Sequence, residues 1–209
     1  MKRIFLPFVG LMVVLVVVGI MAGKPASTAQ KIGGGTFRGY LTSEPSNLDP
    51  ARGVDVNEGS IQAKVFDGLV QYDAKMALVG GLAESWDIQD EGKTYLFRLR
   101  KGLTFHNGQA FTAKDVVYTF NRLLDPAVKS PRTWVLEKVS GARERLENKT
   151  TEVTGITAVD DYTVKISLVE AFSPFLSLLS MPAAYILPSE SAAAIADKSF
   201  FERPFGTGP

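Results

Sequence analysis

At 209 residues the chain is long enough for one sizeable folded domain plus an export segment, and 45% hydrophobic against 22% charged residues excludes the composition of a disordered polymer. With 23 basic and 22 acidic side chains, and no run of like charge to track a phosphate backbone, the balance argues against nucleic acid as a partner. The absence of cysteine excludes disulfides, thiolate zinc sites, thiol nucleophiles and a lipid-modified N-terminal cysteine.

Lys2 and Arg3 precede an apolar stretch from Ile4 to Ala22, broken only by Pro7, Gly10 and Gly19. Two readings stand. Ser27 and Ala29 supply small residues where a signal peptidase needs them, which would make Gln30 the first mature residue. The stretch also approaches the roughly 20 apolar residues that span a bilayer, so residues 1–29 are a signal peptide or a signal anchor. Both place residues 30–209 outside the cytoplasm, because the basic N-terminus stays inside.

After Gly33-Gly34-Gly35, the alternation of Thr36-Phe37-Arg38-Gly39-Tyr40-Leu41 predicts a strand, and the proline-rich Ser43 to Pro50 predicts an irregular loop. From Asn57, the fourfold recurrence of Ile61, Val65 and Leu69 predicts a helix fraying at Gly68. Leu78 to Trp86 has no clear period, whereas Thr94 to Arg100 alternates cleanly, with Tyr95, Phe97 and Leu99 on one face and Arg98 and Arg100 on the other. Lys101-Gly102 and Asn107-Gly108 bracket Leu103-Thr104-Phe105 as a hairpin-like element.

Thr112 and Asp115 form a variant capping box for an amphipathic helix through Val116, Val117, Phe120, Leu123 and Leu124, which Asp125-Pro126 stops. Trp134 to Leu146 is compatible with a helix interrupted at Gly141. Ile156 to Val159 and Tyr162 to Leu168 read as two strands joined by the tight turn Asp160-Asp161. Phe175, Leu178 and Leu179 predict a short buried helix, Tyr185-Ile186-Leu187 a strand ended by Pro188, and Ser189 the cap of a last helix through Ala196. Without regular βαβ alternation, the class is α+β or irregular α/β.

The ordered blocks Glu44-Pro45-Ser46-Asn47-Leu48-Asp49-Pro50, Val65 to Val70, Gly81 to Trp86, Thr94 to Gly102, Phe105-His106-Asn107-Gly108, Thr112 to Tyr118, Val159 to Val164 and Phe205-Gly206-Thr207-Gly208-Pro209 resemble the bacterial family 5 extracellular solute-binding proteins of peptide, dipeptide and nickel ABC importers. The resemblance covers nearly everything after Gly35. Members are much longer, with two lobes that close over a solute. The resemblance therefore implies the first lobe, incomplete, of a two-lobed periplasmic-binding-protein type II-like fold. It implies a substrate-binding component that captures peptides or similar small solutes outside the cytoplasm and delivers them to a membrane permease. An isolated lobe is expected to bind weakly or not at all. The alternative is a membrane-tethered extracytoplasmic sensory or scaffold module.

The resemblance places Ser43, Glu44 and Pro45 near the ligand's main chain, and Arg132 and Trp134 in the cleft, where a guanidinium suits a carboxylate and an indole an apolar group. Each has a plainer reading: Glu44 as a solvated or loop-capping acid, Arg132 and Trp134 as surface loop and core. His106 is the sole histidine and reads as a turn residue, and Asp160-Asp161 as turn geometry. No phosphate-binding glycine pattern is present. A monomer without catalytic residues, metal or cofactor is expected, and no enzyme activity.

Overall fold

The computed structural model describes residues 39–197 and 199–208. The predicted signal or anchor segment lies outside them. Among the described residues no helix is long and apolar enough to cross a membrane. The chain divides at Tyr40–Leu41, and the fold below is that of the unit beginning at Leu41. Of the strand expected over Thr36 to Leu41, residues 36–38 lie outside the described set and Gly39 to Leu41 join no ladder.

Helix α1 (Val56–Val65) opens at Asp55, whose carboxylate accepts the Asn57 N–H at 2.6 Å. It ends at Val65, and the faces differ from the expected ones. Glu58 and Gln62 point inward with Phe66 following, Ile61 is only half-buried, and Leu69 already belongs to the approach to the first strand. A short hairpin follows, β1 (Val70–Tyr72) antiparallel to β2 (Leu78–Gly80).

The main sheet is entirely antiparallel, in the order β3-β4-β6-β5, from β3 (Ala83–Gln89), β4 (Thr94–Leu99), β5 (Ile156–Asp160) and β6 (Thr163–Ser167). The alternation read from the sequence of β4 is realised: Tyr95, Phe97 and Leu99 are buried and Arg98 is exposed. Register places Phe97 between Trp86 and Val164, so one inward row runs across the sheet. The predicted turn joins β5 to β6, with the Asp160 carboxylate accepting the Tyr162 N–H at 2.7 Å. That bond holds the exposed Asp160 carboxyl below its usual range.

Helix α2 (Ala113–Leu123) packs on β5 and β6 through Val116, Phe120 and Leu123, the i, i+4, i+7 face predicted for it. At its start the Asp115 carboxylate accepts the Thr112 N–H at 2.8 Å. The expected helix over Trp134 to Leu146 is instead a 3₁₀ turn at Thr133–Leu136 followed by α3 (Ala142–Leu146). Gly141 separates them at φ 81°, and a Cβ there would lie 2.5 Å from Thr154 Oγ1.

The buried helix after Pro174 is α4 (Phe175–Leu178), whose Phe175 ring lies 4.9 Å from Tyr95. Tyr185 to Leu187 is extended, but it is not the expected strand. Its partners are a loop and a helix: Ile186 N–H donates to the Asp67 carbonyl at 2.9 Å, and Leu187 N–H to Thr119 Oγ1 at 2.9 Å. Ser189 does not cap the last helix, α5 (Ala192–Ala196), but donates through N–H and Oγ to Asp115, each at 2.8 Å.

Candidate functional site

The loop leading into α1 is fixed along its whole length by side chains from other elements. Asp49 is buried, and the Arg122 guanidinium grips it with two bonds, Nη1 to Oδ1 at 2.9 Å and Nη2 to Oδ2 at 2.6 Å. The Ser130 hydroxyl donates to the Ala51 carbonyl. Arg132 donates from Nε to the Gly53 carbonyl at 2.8 Å and from Nη2 to the Val54 carbonyl at 3.4 Å. Glu58, inside α1, closes the loop from below: its Oε2 accepts Val54 N–H at 2.8 Å and Asp55 N–H at 3.0 Å, and its Oε1 accepts the Ser46 hydroxyl at 2.6 Å.

The expected ligand-binding residues sit on the rim this bracing creates. Asn57, in the first turn of α1, donates to Ser43 Oγ at 2.8 Å and to Thr42 Oγ1 at 3.0 Å, so the Ser43 segment is tied to the same helix end that Arg132 braces. Glu44 is exposed, with no hydrogen bond or ion pair among the described residues. Pro45 is half-buried and lines an indentation of about 410 Å³ with Ser46, Leu48 and Phe201.

Trp134 is 41% exposed and is not a core residue, while Val54 and Val56 are exposed at 61% and 83%. The helix start therefore carries exposed apolar surface beside an uncompensated carboxylate. Arg132 has part of its fork occupied by main-chain carbonyls, which gives it a bracing role whatever else it touches. Sequence reasoning missed Asn57, Glu58 and Asp49. The spacing Asp55-x-x-Glu58 before a helix is a readable capping signal, but nothing local marks Asp49 as the partner of Arg122.

His106 lies in its turn as expected and also fastens a distant segment. Its Nε2 lies 2.6 Å from the Gly208 carbonyl, its Nδ1 is 3.4 Å from the Gly206 N–H, and its own N–H donates to the Gly206 carbonyl at 2.8 Å. A carbonyl at one ring nitrogen and an N–H at the other suit the neutral Nε2–H tautomer. Among the described residues no group of three or more His, Cys, Asp or Glu is placed to hold a metal ion.

Fold and rim together define an α+β lobe with a loop-built edge. The family model described as bacterial extracellular solute-binding proteins, family 5 Middle, matches residues 77–209, and the chain belongs to that family of binding proteins. It is 33% identical over 177 residues to the di/tripeptide-binding protein 1 of Pseudomonas aeruginosa (strain UCBPP-PA14), covering 79% of this chain and 32% of that protein. It is 33% identical over 193 residues to the periplasmic oligopeptide-binding protein OppA of Escherichia coli (strain K12), covering 88% and 35%. Haemophilus influenzae OppA, solved in complex with RPPGFSPFR, superimposes with a TM-score of 0.75 at 30% identity, over 79% of this chain and 33% of that one. The chain thus spans about a third of the length of the curated relatives it matches.

Proposed function

We propose that this chain forms a ligand-facing lobe of the substrate-binding component of an ABC importer, which captures peptides or similar small solutes outside the cytoplasm and delivers them to a membrane permease. In this reading residues 1–29 direct export and residues 30–209 belong to the binding lobe. The supporting observation is the convergence of Ser43 and Arg132 on the N-terminal end of α1, where Val54 and Val56 are exposed, with exposed Trp134 two residues from Arg132. The relatives are named for di/tripeptide and oligopeptide binding, and one is named as periplasmic.

Glu44 supplies attraction for a ligand's cationic amine, Ser43 and Pro45 shape the approach to its main chain, and Trp134 offers an aromatic face to its side chain. Arg132 fixes the loop that presents them. A ligand held between this lobe and an opposing one favours closure by its difference in affinity for the closed and open forms. Calorimetric titration of the whole product of the reading frame with di- to oligopeptides is the test. Saturable binding that weakens roughly tenfold in Trp134→Ala, and less in Glu44→Gln, is the expected result. Peptide affinity unmoved by both substitutions would remove the rim from the site.

A further inference from the structure

We propose that this lobe carries a second site, a pocket between the Asp49 to Arg52 loop, the C-terminal half of α2 and α5, that binds a small monocarboxylate with a short alkyl tail. The pocket measures about 400 Å³, at the lower end of the range that holds small molecules. Its polar lining is Asp49, Arg52, Tyr118, Arg122, Asp125 and Arg145, and Val128, Ile195 and Ala196 supply apolar lining.

The polar partners of the lining set the ligand's sign. Both carboxylates are already satisfied. Asp49 takes two bonds from Arg122 and one from Ala51 N–H, while Asp125 pairs with Arg145 at 2.6 Å and accepts Ala127 N–H at 2.8 Å. Asn121 is likewise used at both ends, donating to the Val117 carbonyl and accepting Val153 N–H.

What remains is one guanidinium and one hydroxyl. Arg52 is exposed and has no ion pair or side-chain hydrogen bond among the described residues, and the Tyr118 hydroxyl has no partner there either. The Arg145 Nε–H is buried with no partner among the described residues. Burial pushes the Tyr118 phenol up, with Asp49 adding to the shift and Arg122 opposing it, so the hydroxyl stays a proton donor at neutral pH.

Three guanidinium groups against two carboxylates leave one uncompensated positive charge, which matches a single negative one. A carboxylate meets Arg52 through its planar fork and Tyr118 through its hydroxyl, and a short branched chain then lies against Ile195 and Val128. A compact multiply charged oxyanion leaves that alkyl wall unfilled, which disfavours inorganic phosphate.

The test is calorimetric titration of the same full product with isovalerate, with its neutral isostere isovaleramide and with inorganic phosphate. Isovalerate should bind saturably, about tenfold more weakly in Arg52→Gln and several-fold more weakly in Tyr118→Phe, with isovaleramide and phosphate both poorer. Thermal melts confirm that both variants fold, and an unchanged peptide affinity in Tyr118→Phe, which lies outside the Pro45 indentation, is expected of a second site. Equal binding of acid and amide, phosphate binding at least as well as isovalerate, or unchanged affinity in both variants would each overturn the assignment.

Discussion

Glu58 is buried at the third position of α1, and its environment pulls in opposite directions. Burial pushes its carboxyl up, while the Ser46 hydroxyl and the N–H groups of Asp55 and Val54 pull it down by more, leaving it below the usual carboxylate range. A carboxyl depressed on folding adds stability that is present above its unfolded value, about 4.3, and is lost as pH falls through the lower folded value. Glu58→Gln, which keeps the shape and removes the charge, should cost about 1–3 kcal/mol near neutral pH. Urea unfolding of both proteins should show that gap closing below about pH 4, and a gap independent of pH would refute the charged role. Nothing in the apolar period around Asn57 foretold this, because a period of hydrophobic residues cannot register a carboxylate whose partners lie in the preceding loop. Ser43, Glu44, Pro45, Arg132 and Trp134 became candidates only through family resemblance, and the exposure of Trp134 and the bracing bonds of Arg132 became visible only once the chain was folded.

At the scale of elements, α2 was the most readable, because its cap, its apolar face and its proline stop all act within a few residues of one another. Its first turn also does something no local signal announces. Asp115 holds Thr112 N–H through one oxygen and, through the other, Ser189 N–H and Oγ from a segment 74 residues later. Asp115→Ala should therefore cost about 3 kcal/mol, more than the typical ~1 kcal/mol of a lost cap, since it strands part-buried donors on two segments. Chemical denaturation measures this, and a loss no larger than an ordinary cap would show that the Ser189 tie contributes little. Tyr185 to Leu187 failed as a strand for the complementary reason. Its residues suit a ladder, but Thr119 and the Asp67 carbonyl take the N–H groups that a neighbouring strand would need. Gly141 interrupted the helix expected over Trp134 to Leu146 through its left-handed backbone and the close approach of Thr154.

For the whole molecule, the decisive join is the buried pair Asp49–Arg122, 2.6 Å apart with side chains only 4% and 11% exposed, which links the entry loop to the sheet-packed α2. Breaking such a pair leaves a desolvated charge, so Arg122→Met should destabilise by about 3–5 kcal/mol and Asp49→Asn in that background should recover part of the loss. Thermal unfolding of the single and double variants checks this, and additive losses would show that the two side chains do not act as a pair. The sequence by itself determined β4, the β5–β6 hairpin, α2 and the α+β class, because alternation, helical period, caps and tight turns are short-range effects that the chain carries wherever it goes. Only the tertiary structure decided that Glu58 and Gln62 face inward, that Arg132 braces carbonyls 79 and 78 residues earlier, and that Thr119 captures Leu187 68 residues later. Those choices depend on which buried donors and acceptors the packed fold brings into reach, and sequence separation carries no record of that.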